Sequence, residues 1–346
     1  MSSPNTTATN SLIRWTPQVG PEVRALLDSA PHLGEEGRTQ LIAEATRVLS
    51  KCVPPNNSPE GETGLAIGFV QSGKTLYFTT VAALARDNGF PLIIVITGTS
   101  VPLFNQSNQR LVQDLGIGTR RGARRWRHFP NPRDADLDAL RGVIDSWRPG
   151  SIVPEIRRQA AIVTVMKHYR RLDRLNDLLL ELELDDIPAL VIDDEADQAG
   201  LNNEVNQQRQ SATYTRLLTL KSRLPHHTYL QYTATPQAPL LINIIDALSP
   251  NFVDILTPGT DYVGGRDFFR SNSPHVRTIP DSDIPRPNRI IQRPPESLRE
   301  AIMLFVVGVA YGIYTDNTGG NRSMLVHPSR PTAPHGNYVS WITRIK

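Results

Sequence analysis

The chain has 346 residues, of which 39% are hydrophobic and 21% are charged, a balance typical of a globular protein with its own core. Its length suits one large domain or two ordinary ones. The formal net charge is +3, which permits contact with nucleic acid but does not require it. The single cysteine, Cys52, excludes an intrachain disulfide framework and any metal site built from several cysteines.

The N-terminus contains many Ser, Thr and Asn residues and lacks the apolar segment of a secretory signal. No run of about 18 apolar residues is evident, so we expect no membrane-spanning helix and a cytoplasmic location. A loosely held arm precedes helical patterns at Pro21–Leu27 and Glu35–Leu49, and a loop rich in proline and asparagine follows them. Residues 1–60 are therefore predicted to form a small helical N-terminal extension.

Residues Gly68–Thr75 fit the phosphate-binding pattern G-x-x-x-x-G-K-[ST] without a mismatch. Glycines let the backbone turn tightly around a phosphate, and the following helix directs its partial positive charge at the same anion. We expect Lys74 to contact the β- and γ-phosphates of ATP and the Thr75 hydroxyl to bind Mg²⁺. The other predicted cofactor-binding residues are Gly68, Gln71, Ser72 and Gly73.

This motif lies between a predicted strand and a predicted helix, the context in which such a motif binds phosphate. The apolar run Leu65–Ile67 predicts a buried strand, and apolar residues at helical spacing predict a helix over Lys74–Asp87. A second buried strand, rich in β-branched residues, is predicted at Pro91–Ile96. The βαβ unit favours bound ATP over the alternative, a glycine-rich turn with an exposed lysine.

The rest of the chain continues the alternation of strands and helices. Further apolar runs predict strands at 160–165 and 189–193, and an alternating pattern predicts a strand at 227–232. Helices are predicted at 103–115, 134–147, 172–184 and 214–221. The alternation predicts an α/β fold with helices flanking a parallel sheet. Amide side chains crowd the helix at 103–115: Asn105, Gln106, Asn108 and Gln109. They either contact nucleic-acid phosphates or are solvated.

One strand, ending at Asp193, runs directly into D-E-A-D at residues 194–197. An ATPase needs one acid that holds the metal and its water shell and a second that polarises the attacking water. We assign these roles to Asp194 and Glu195, in that order; the alternative is an acidic turn. Asp193 and Asp197 flank the pair, and four clustered acids are costly unless a cation is present.

The strand at 227–232 ends in Thr233-Ala234-Thr235. Hydroxyls at this position can connect the metal-side carboxylates to bound nucleic acid, so Thr233 and Thr235 are predicted coupling residues. The alternative is an ordinary strand end with solvated threonines. The preceding pair, His226-His227, belongs to no metal-ligand pattern and is predicted to lie at the surface.

Five arginines and one tryptophan crowd the nine residues 120–128. Guanidinium groups bind phosphates bidentately, and an interleaved aromatic ring such as that of Trp126 can stack on a base. The arginines predicted to contact nucleic acid are Arg121, Arg124, Arg125 and Arg127. The alternative is a mobile surface loop whose arginines pair with nearby acids such as Asp134 and Asp136.

Together these motifs resemble those of the superfamily-two helicase-like ATPases, with Gly68–Thr75 as motif I, Asp194–Asp197 as motif II and Thr233–Thr235 as motif III. The strings G-x-V-Q-S-G-K-T, I-D-D-E-A-D-Q-A, Y-T-A-T-P-Q-A and P-G-T-D-Y-V-G-G are similar to those of the Z-one domain family. That resemblance covers roughly residues 35–346. The family comprises helicase-like ATPase modules, often labelled endonucleases, in bacterial restriction and phage-defence gene cassettes.

The resemblance implies that residues 61–280 form a RecA-like lobe, the first helicase lobe of a P-loop NTPase. The strand with Thr233 would lie between those that lead to Lys74 and Asp194, and would couple the nucleotide state to nucleic acid, with DNA favoured over RNA. The resemblance also places residues 164–167 and the basic helix after them, with Arg170, Arg171 and Arg174, where such proteins grip a nucleic-acid backbone.

Residues 281–346 resemble a proline-rich connector and the start of a second, incomplete RecA-like lobe, with a helix at 295–311 and a strand at 323–327. Proteins of this type usually complete their site with arginines from the second lobe, and none can be assigned here. The expected function is a nucleic-acid-dependent ATPase, helicase- or translocase-like, whose hydrolysis by this chain alone is weak.

Two other functions stay open. The first is a non-motor, ATP-dependent switch that recruits a nuclease partner from the same defence system. The second is a part of a restriction-type endonuclease. The chain contains no Glu-x-Lys or Gln-x-Lys, the pattern of a common metal-dependent nuclease core, so nuclease activity would need an unrecognised site, missing sequence or a partner.

Overall fold

The computed structural model describes residues 13–31, 33–69, 73–119, 121–197, 212–235, 248–259, 262–269, 273–286, 288–316 and 322–345. The chain divides into two compact units, Met1–Tyr262 and Val263–Lys346, which are described separately.

A seven-stranded sheet forms the centre of the first unit, and all of its strand pairs are parallel. The strands are β1 (Gly61–Ile67), β2 (Leu92–Thr97), β3 (Trp126–Pro130), β4 (Ala160–Met166), β5 (Ala189–Asp194), β6 (His227–Thr233) and β7 (Phe252–Ile255). Their order across the sheet is β3-β4-β2-β5-β6-β1-β7. The predicted α/β fold with a parallel sheet is confirmed.

Helices cover both faces of this sheet. They are α1 (Pro21–Ser29), α2 (Glu35–Ser50), α3 (Lys74–Asp87), α4 (Val101–Asp114), α5 (Gly122–Arg125), α6 (Leu137–Asp145), α7 (Tyr169–Leu180) and α8 (Ala212–Ser222). Helices α1 to α4 share a core with Ile93 and Val95 of β2, whereas α6 to α8 share one with Ile94 and Ile96. Successive β2 residues therefore enter opposite cores, which explains why this strand is apolar throughout before Thr97.

Most predicted elements of the first unit agree with the structure to within a few residues. The four strands predicted from apolar runs are confirmed as β1, β2, β4 and β5, and the strand predicted from an alternating pattern is confirmed as β6. Strands β3 and β7 are not predicted from the sequence, because each is short and lies at an edge of the sheet. Only some of their side chains are buried, so neither has a continuous apolar run.

The helical N-terminal extension packs on the sheet unit through polar contacts as well as its apolar core. Asp87, the last residue of α3, accepts a hydrogen bond from the backbone N–H of Glu22 at 3.0 Å. Asp254 of β7 forms ion pairs with Arg47 of α2 at 2.7 Å and with Lys51, the residue that follows α2, at 2.8 Å. The two helices are thus fastened to α3 and to one edge of the sheet.

The prediction that His226 and His227 lie at the surface is wrong, since they are 2% and 5% exposed. Nδ1 of His227 lies 2.5 Å from the Leu224 carbonyl oxygen, and Nε2 of His226 lies 3.0 Å from that of Pro54. Burial lowers the pKa of His227 to about 4. The segment is buried because β6 is a central strand of the sheet. Its polar sequence does not indicate this burial.

The second unit contains α9 (Gly265–Phe268), α10 (Glu296–Asp316) and α11 (His335–Ile345). Its small core joins Leu298 of α10 to Tyr338 and Trp341 of α11. The helix predicted at 295–311 is confirmed. The strand predicted at 323–327 is wrong, because this segment pairs with no strand among the residues that the structure describes.

Helix α10 is long and apolar enough to cross a membrane, with a mean hydropathy of 1.4 over Glu296–Thr315. The sequence-based expectation of no such helix missed it because Arg299 and Glu300 interrupt the apolar run. Length and composition alone do not separate a membrane span from a helix that packs on protein.

Candidate functional site

Three neighbouring strands end side by side at the carboxyl edge of the sheet, where open parallel sheets bind ligands. β6 lies between β1 and β5. Ile67 of β1 pairs with Thr233, and Asp194 of β5 pairs with Tyr232. The predicted position of the threonine strand, between the strands that lead to Lys74 and Asp194, is therefore confirmed, and it brings the three motifs together.

The loop after β1 ends at Gly73, whose φ of +84° lies in the left-handed region. A residue with a side chain would be strained there, which gives this glycine of the motif a conformational reason. Helix α3 begins at the next residue, Lys74, and no described side chain caps its first turn. The N–H of Gly68 donates to the Thr233 carbonyl at 2.9 Å. The predicted residues Gln71 and Ser72 lie outside the described residues.

A cavity of about 600 Å³ opens at this edge of the sheet, within the size range of small-molecule sites. Lys74 and Thr75 line it from the start of α3, and Asp194 and Glu195 line it from the end of β5. One face of α4 forms a further wall. The predicted catalytic residues and the predicted metal ligands therefore line one cavity.

Asp194, the last residue of β5, is buried and only 7% exposed. Burial and the neighbouring Glu195 raise its pKa to about 6, while Lys167 and Lys74 act in the opposite direction. A buried carboxyl group beside a second acid favours its charged form when a cation lies close to it. The environment of Asp194 thus fits that of a metal ligand.

Glu195 has a φ of +60°, in the left-handed region that few residues other than glycine adopt. Residues with such strained backbones concentrate at functional sites, where surrounding contacts hold them in place. Here the contact comes from Nζ of Lys167, which donates to the Glu195 carbonyl at 2.8 Å. The backbone that carries the carboxylate is therefore fixed from inside the protein.

Lys167 contacts Asp193 and the first two residues of the acidic motif. Its Nζ lies 2.5 Å from Oδ1 of Asp193 and donates to the carbonyl oxygens of Asp194 at 3.2 Å and Glu195 at 2.8 Å. The other oxygen of Asp193 accepts a hydrogen bond from the Tyr229 hydroxyl at 2.6 Å. The expectation that Lys167 grips a nucleic-acid backbone is wrong, because its ammonium group is buried in these contacts.

Both coupling threonines bind Asp197. The Thr233 hydroxyl donates to Oδ1 at 2.7 Å, and the Thr235 hydroxyl donates to Oδ2 at 2.5 Å. Burial acts to raise the pKa of Asp197, but the hydrogen bonds from Thr235 and Thr233 outweigh it and the pKa lies below its ordinary value. The end of β6 thus contacts the acidic motif through these hydroxyls and Gly68 through a backbone carbonyl. A coupling role for the two threonines stays a prediction.

The four clustered acids separate into two kinds. Asp193 and Asp197 have close partners inside the protein, whereas Asp194 and Glu195 line the cavity. Among the described residues, no group of three or more Asp, Glu, His or Cys side chains could hold a metal ion. A Mg²⁺–nucleotide site needs fewer protein ligands, since water and phosphate oxygens complete the coordination. The Thr75 hydroxyl and the Asp194 carboxylate fit this donor set.

The basic stretch lies at the amino edge of the sheet, where the strands begin, and the cavity lies at the carboxyl edge, where they end. α5 leads into the first residue of β3, and parallel strands all begin at the amino edge, away from the cavity. Arg121 and Arg125 lie 3.3 and 3.2 Å from Oε1 of Glu22, a partner that the sequence did not suggest. The Trp126 indole donates to Oε2 of Glu22 at 3.2 Å and is 2% exposed, so its ring is not accessible for stacking on a base.

Arg124 and Arg127 are exposed in this stretch. Nucleic-acid contact by the four arginines stays a prediction. The surface concerned lies at the amino edge of the sheet, whereas the cavity lies at the carboxyl edge. The amides of α4 also separate: Gln106 lines the cavity, whereas Oδ1 of Asn108 accepts a hydrogen bond from the Thr164 hydroxyl at 2.7 Å.

Two cations near the cavity were not assigned to it from the sequence, Lys167 and Arg110. Lys167 directly follows the buried strand β4, and a lysine in that position can turn inward. Arg110 follows Leu103 by seven residues, which places both on one helix face. For neither residue does the local sequence show which groups lie close to it, because those groups come from other strands of the sheet.

The chain matches no protein-family model, and no curated protein is significantly similar to it.

Proposed function

We propose that this chain is a RecA-like P-loop NTPase that binds ATP with Mg²⁺ in the cavity at the carboxyl edge of the sheet and hydrolyses it in response to nucleic acid. In this proposal residues 61–280 act as the first lobe of a helicase- or translocase-like motor. The motif similarity to the Z-one domain family supports DNA as the track, a bacterial defence system as the setting and a cytoplasmic location.

The observation that carries the proposal is the joint position of Lys74, Asp194 and Glu195 in one cavity. These residues come from distant parts of the sequence. They meet because only one strand, β6, lies between β1 and β5. A lysine at the start of a helix, a neighbouring hydroxyl and two carboxylates are the groups that a Mg²⁺-bound triphosphate requires.

Each residue has a separate role in the proposed reaction. Lys74 offsets the charge of the β- and γ-phosphates, and Thr75 and Asp194 would hold the metal. When bound, Mg²⁺ supplies positive charge to the phosphate oxygens. Glu195 accepts a hydrogen bond from the attacking water and polarises it. The contact of Lys167 with the Glu195 carbonyl keeps that carboxylate in position.

Steady-state ATPase assays with and without DNA or RNA test this proposal. We expect slow turnover by this chain alone and an increase with a polynucleotide. Lys74→Ala is expected to lose ATP binding. Glu195→Gln is expected to bind ATP and lose hydrolysis by about 100-fold or more, the usual contribution of a group that activates water.

The outcomes separate the candidate functions. A protein that binds no ATP contradicts the proposal, and so does full hydrolysis by Glu195→Gln. ATP binding without any polynucleotide stimulation favours the non-motor switch that recruits a nuclease partner. DNA cleavage by the chain itself would favour the endonuclease alternative.

A further inference from the structure

One face of α4 lines the cavity opposite the start of α3. Its members are Leu103, Gln106, Ser107 and Arg110. Their spacing of three, four and seven residues is that of side chains on a single face of a helix. Among them only Arg110 carries a charge, and it is the only charged residue before Asp114 in this helix.

The Arg110 side chain is directed toward the cavity by helix geometry. Side chains on a helix lean toward its N-terminus, and the N-terminus of α4 follows the carboxyl end of β2. Arg110 is exposed, and it forms no ion pair with any residue that the structure describes. Its guanidinium group is therefore available to a ligand in the cavity.

The order of the strands places Arg110 on the far side of the cavity from Lys74. Crossing the sheet from β1, one meets β6, then β5 with Asp194 and Glu195 at its end, and then β2, which leads into α4. The two cations thus lie on either side of the two acids. A phosphate chain held by α3 at one end of this row would extend past the two acids toward α4, so its terminal phosphate is the part that Arg110 is placed to contact.

We propose that Arg110 binds the terminal phosphate of a nucleoside triphosphate in this cavity, from within the same chain. This inference rests on the proposed ATP site and goes further, because it assigns the discrimination between triphosphate and diphosphate to a residue outside the phosphate-binding motif. A guanidinium group suits the role, since its planar fork binds a phosphate through two parallel hydrogen bonds.

Equilibrium binding of a non-hydrolysable ATP analogue and of ADP, each with Mg²⁺, tests the inference. Arg110→Ala is expected to weaken binding of the analogue by roughly tenfold or more, the loss that follows from removing a charge-assisted hydrogen bond. ADP binding should change by less than about twofold, because ADP lacks the phosphate that Arg110 contacts. Arg110→Lys, which keeps the charge but loses the fork, should fall between the two.

Two matched controls isolate the position of the charge. Arg157→Ala removes an exposed arginine that lies before β4, at the amino edge of the sheet. Gln109→Ala changes the neighbouring exposed residue on the same helix, which does not line the cavity. Both should leave the affinity for the analogue unchanged, and circular dichroism should show the same melting temperature for all variants.

The result that would overturn the inference is an Arg110→Ala variant that binds the analogue as well as wild type, or that loses the analogue and ADP equally. A loss confined to polynucleotide binding would also overturn it. A wild-type protein that binds neither nucleotide would instead refute the ATP site itself, so the two failures are distinct.

Discussion

Nζ of Lys167 lies 2.5 Å from Oδ1 of Asp193, and both side chains are buried beneath the two acids that line the cavity. A buried ion pair adds little net stability, because the loss of hydration offsets most of the attraction. Removal of one partner is different, since it leaves the other charge buried and uncompensated. The pair therefore fixes the position of the acidic motif, and its effect should appear when it is broken.

We expect Lys167→Met to lower the free energy of unfolding by about 3–5 kcal/mol, because Asp193 loses its buried cationic partner and keeps only the hydrogen bond from Tyr229. Lys167→Met combined with Asp193→Asn should recover part of this loss. Urea unfolding measures both. Arg174→Met, at an exposed site on α7, is the control and should change stability by less than about 0.5 kcal/mol. Equal losses in Lys167→Met and Arg174→Met would contradict the role of the pair.

The backbone of Glu195 gives a second prediction. At its φ of +60° we expect Glu195→Gly to be more stable than Glu195→Ala by about 1 kcal/mol, because only glycine adopts this region without strain. Both variants should lose ATP turnover. The matched variants Glu181→Gly and Glu181→Ala, at a residue whose φ is −80°, should show the opposite order of stability. The same order at both sites would mean that the backbone of Glu195 is not strained.

The hydrogen bonds of Asp197 give a third prediction, which a double-mutant cycle measures. Thr235→Val and Asp197→Asn should show a coupling energy of about 1–2 kcal/mol, as expected for a hydrogen bond to a charged group. Thr235→Val should also raise the pKa of Asp197, because one of the hydrogen bonds that lower it is lost. Thr219→Val on α8, whose hydroxyl donates to the Thr215 carbonyl of the same helix, is the control. A cycle that closes to zero would show that the two side chains act independently.

Buried His227 predicts a loss of stability in mild acid. Its pKa of about 4 in the folded protein lies below the value of about 6.5 in an unfolded chain, so only the unfolded chain is protonated between these values. Stability should therefore fall as the pH decreases from about 6.5 to about 4, by up to about 3 kcal/mol. His226, whose pKa is also lowered by burial, acts in the same direction.

Urea unfolding at pH 7 and at pH 4.5 checks this expectation. The difference between the two conditions should shrink in His227→Gln, which cannot take up a proton, and should persist in His275→Gln, at an exposed site. An unchanged difference in His227→Gln would show that other groups cause the acid sensitivity.

The central part of the fold could be predicted because its sequence signals are local. A strand buried on both faces, such as β2, must be apolar at every position, and α3 has a glycine immediately before it and Asn88 after it. The edge strands β3 and β7 could not be predicted, because a strand that is only partly covered needs few apolar residues.

The site was predictable to the same extent. Lys74, Asp194 and Glu195 are specified by short motifs, whereas the inward position of Lys167 depends on the pairing of β2 with both β4 and β5. The basic stretch shows the reverse error. Its arginines suggested a free surface, but the sequence could not reveal that Glu22, from the first helix, lies against two of them.

Glu22 has a consequence for the limits of the folding unit. Its carboxylate contacts Arg121, Arg125 and Trp126, and its backbone N–H is bound by Asp87. A shortened protein that began at β1 would leave the Trp126 indole N–H and the half-buried Asp87 without these partners. The minimal autonomous domain therefore includes α1, and the helices that precede β1 belong to the same cooperative unit.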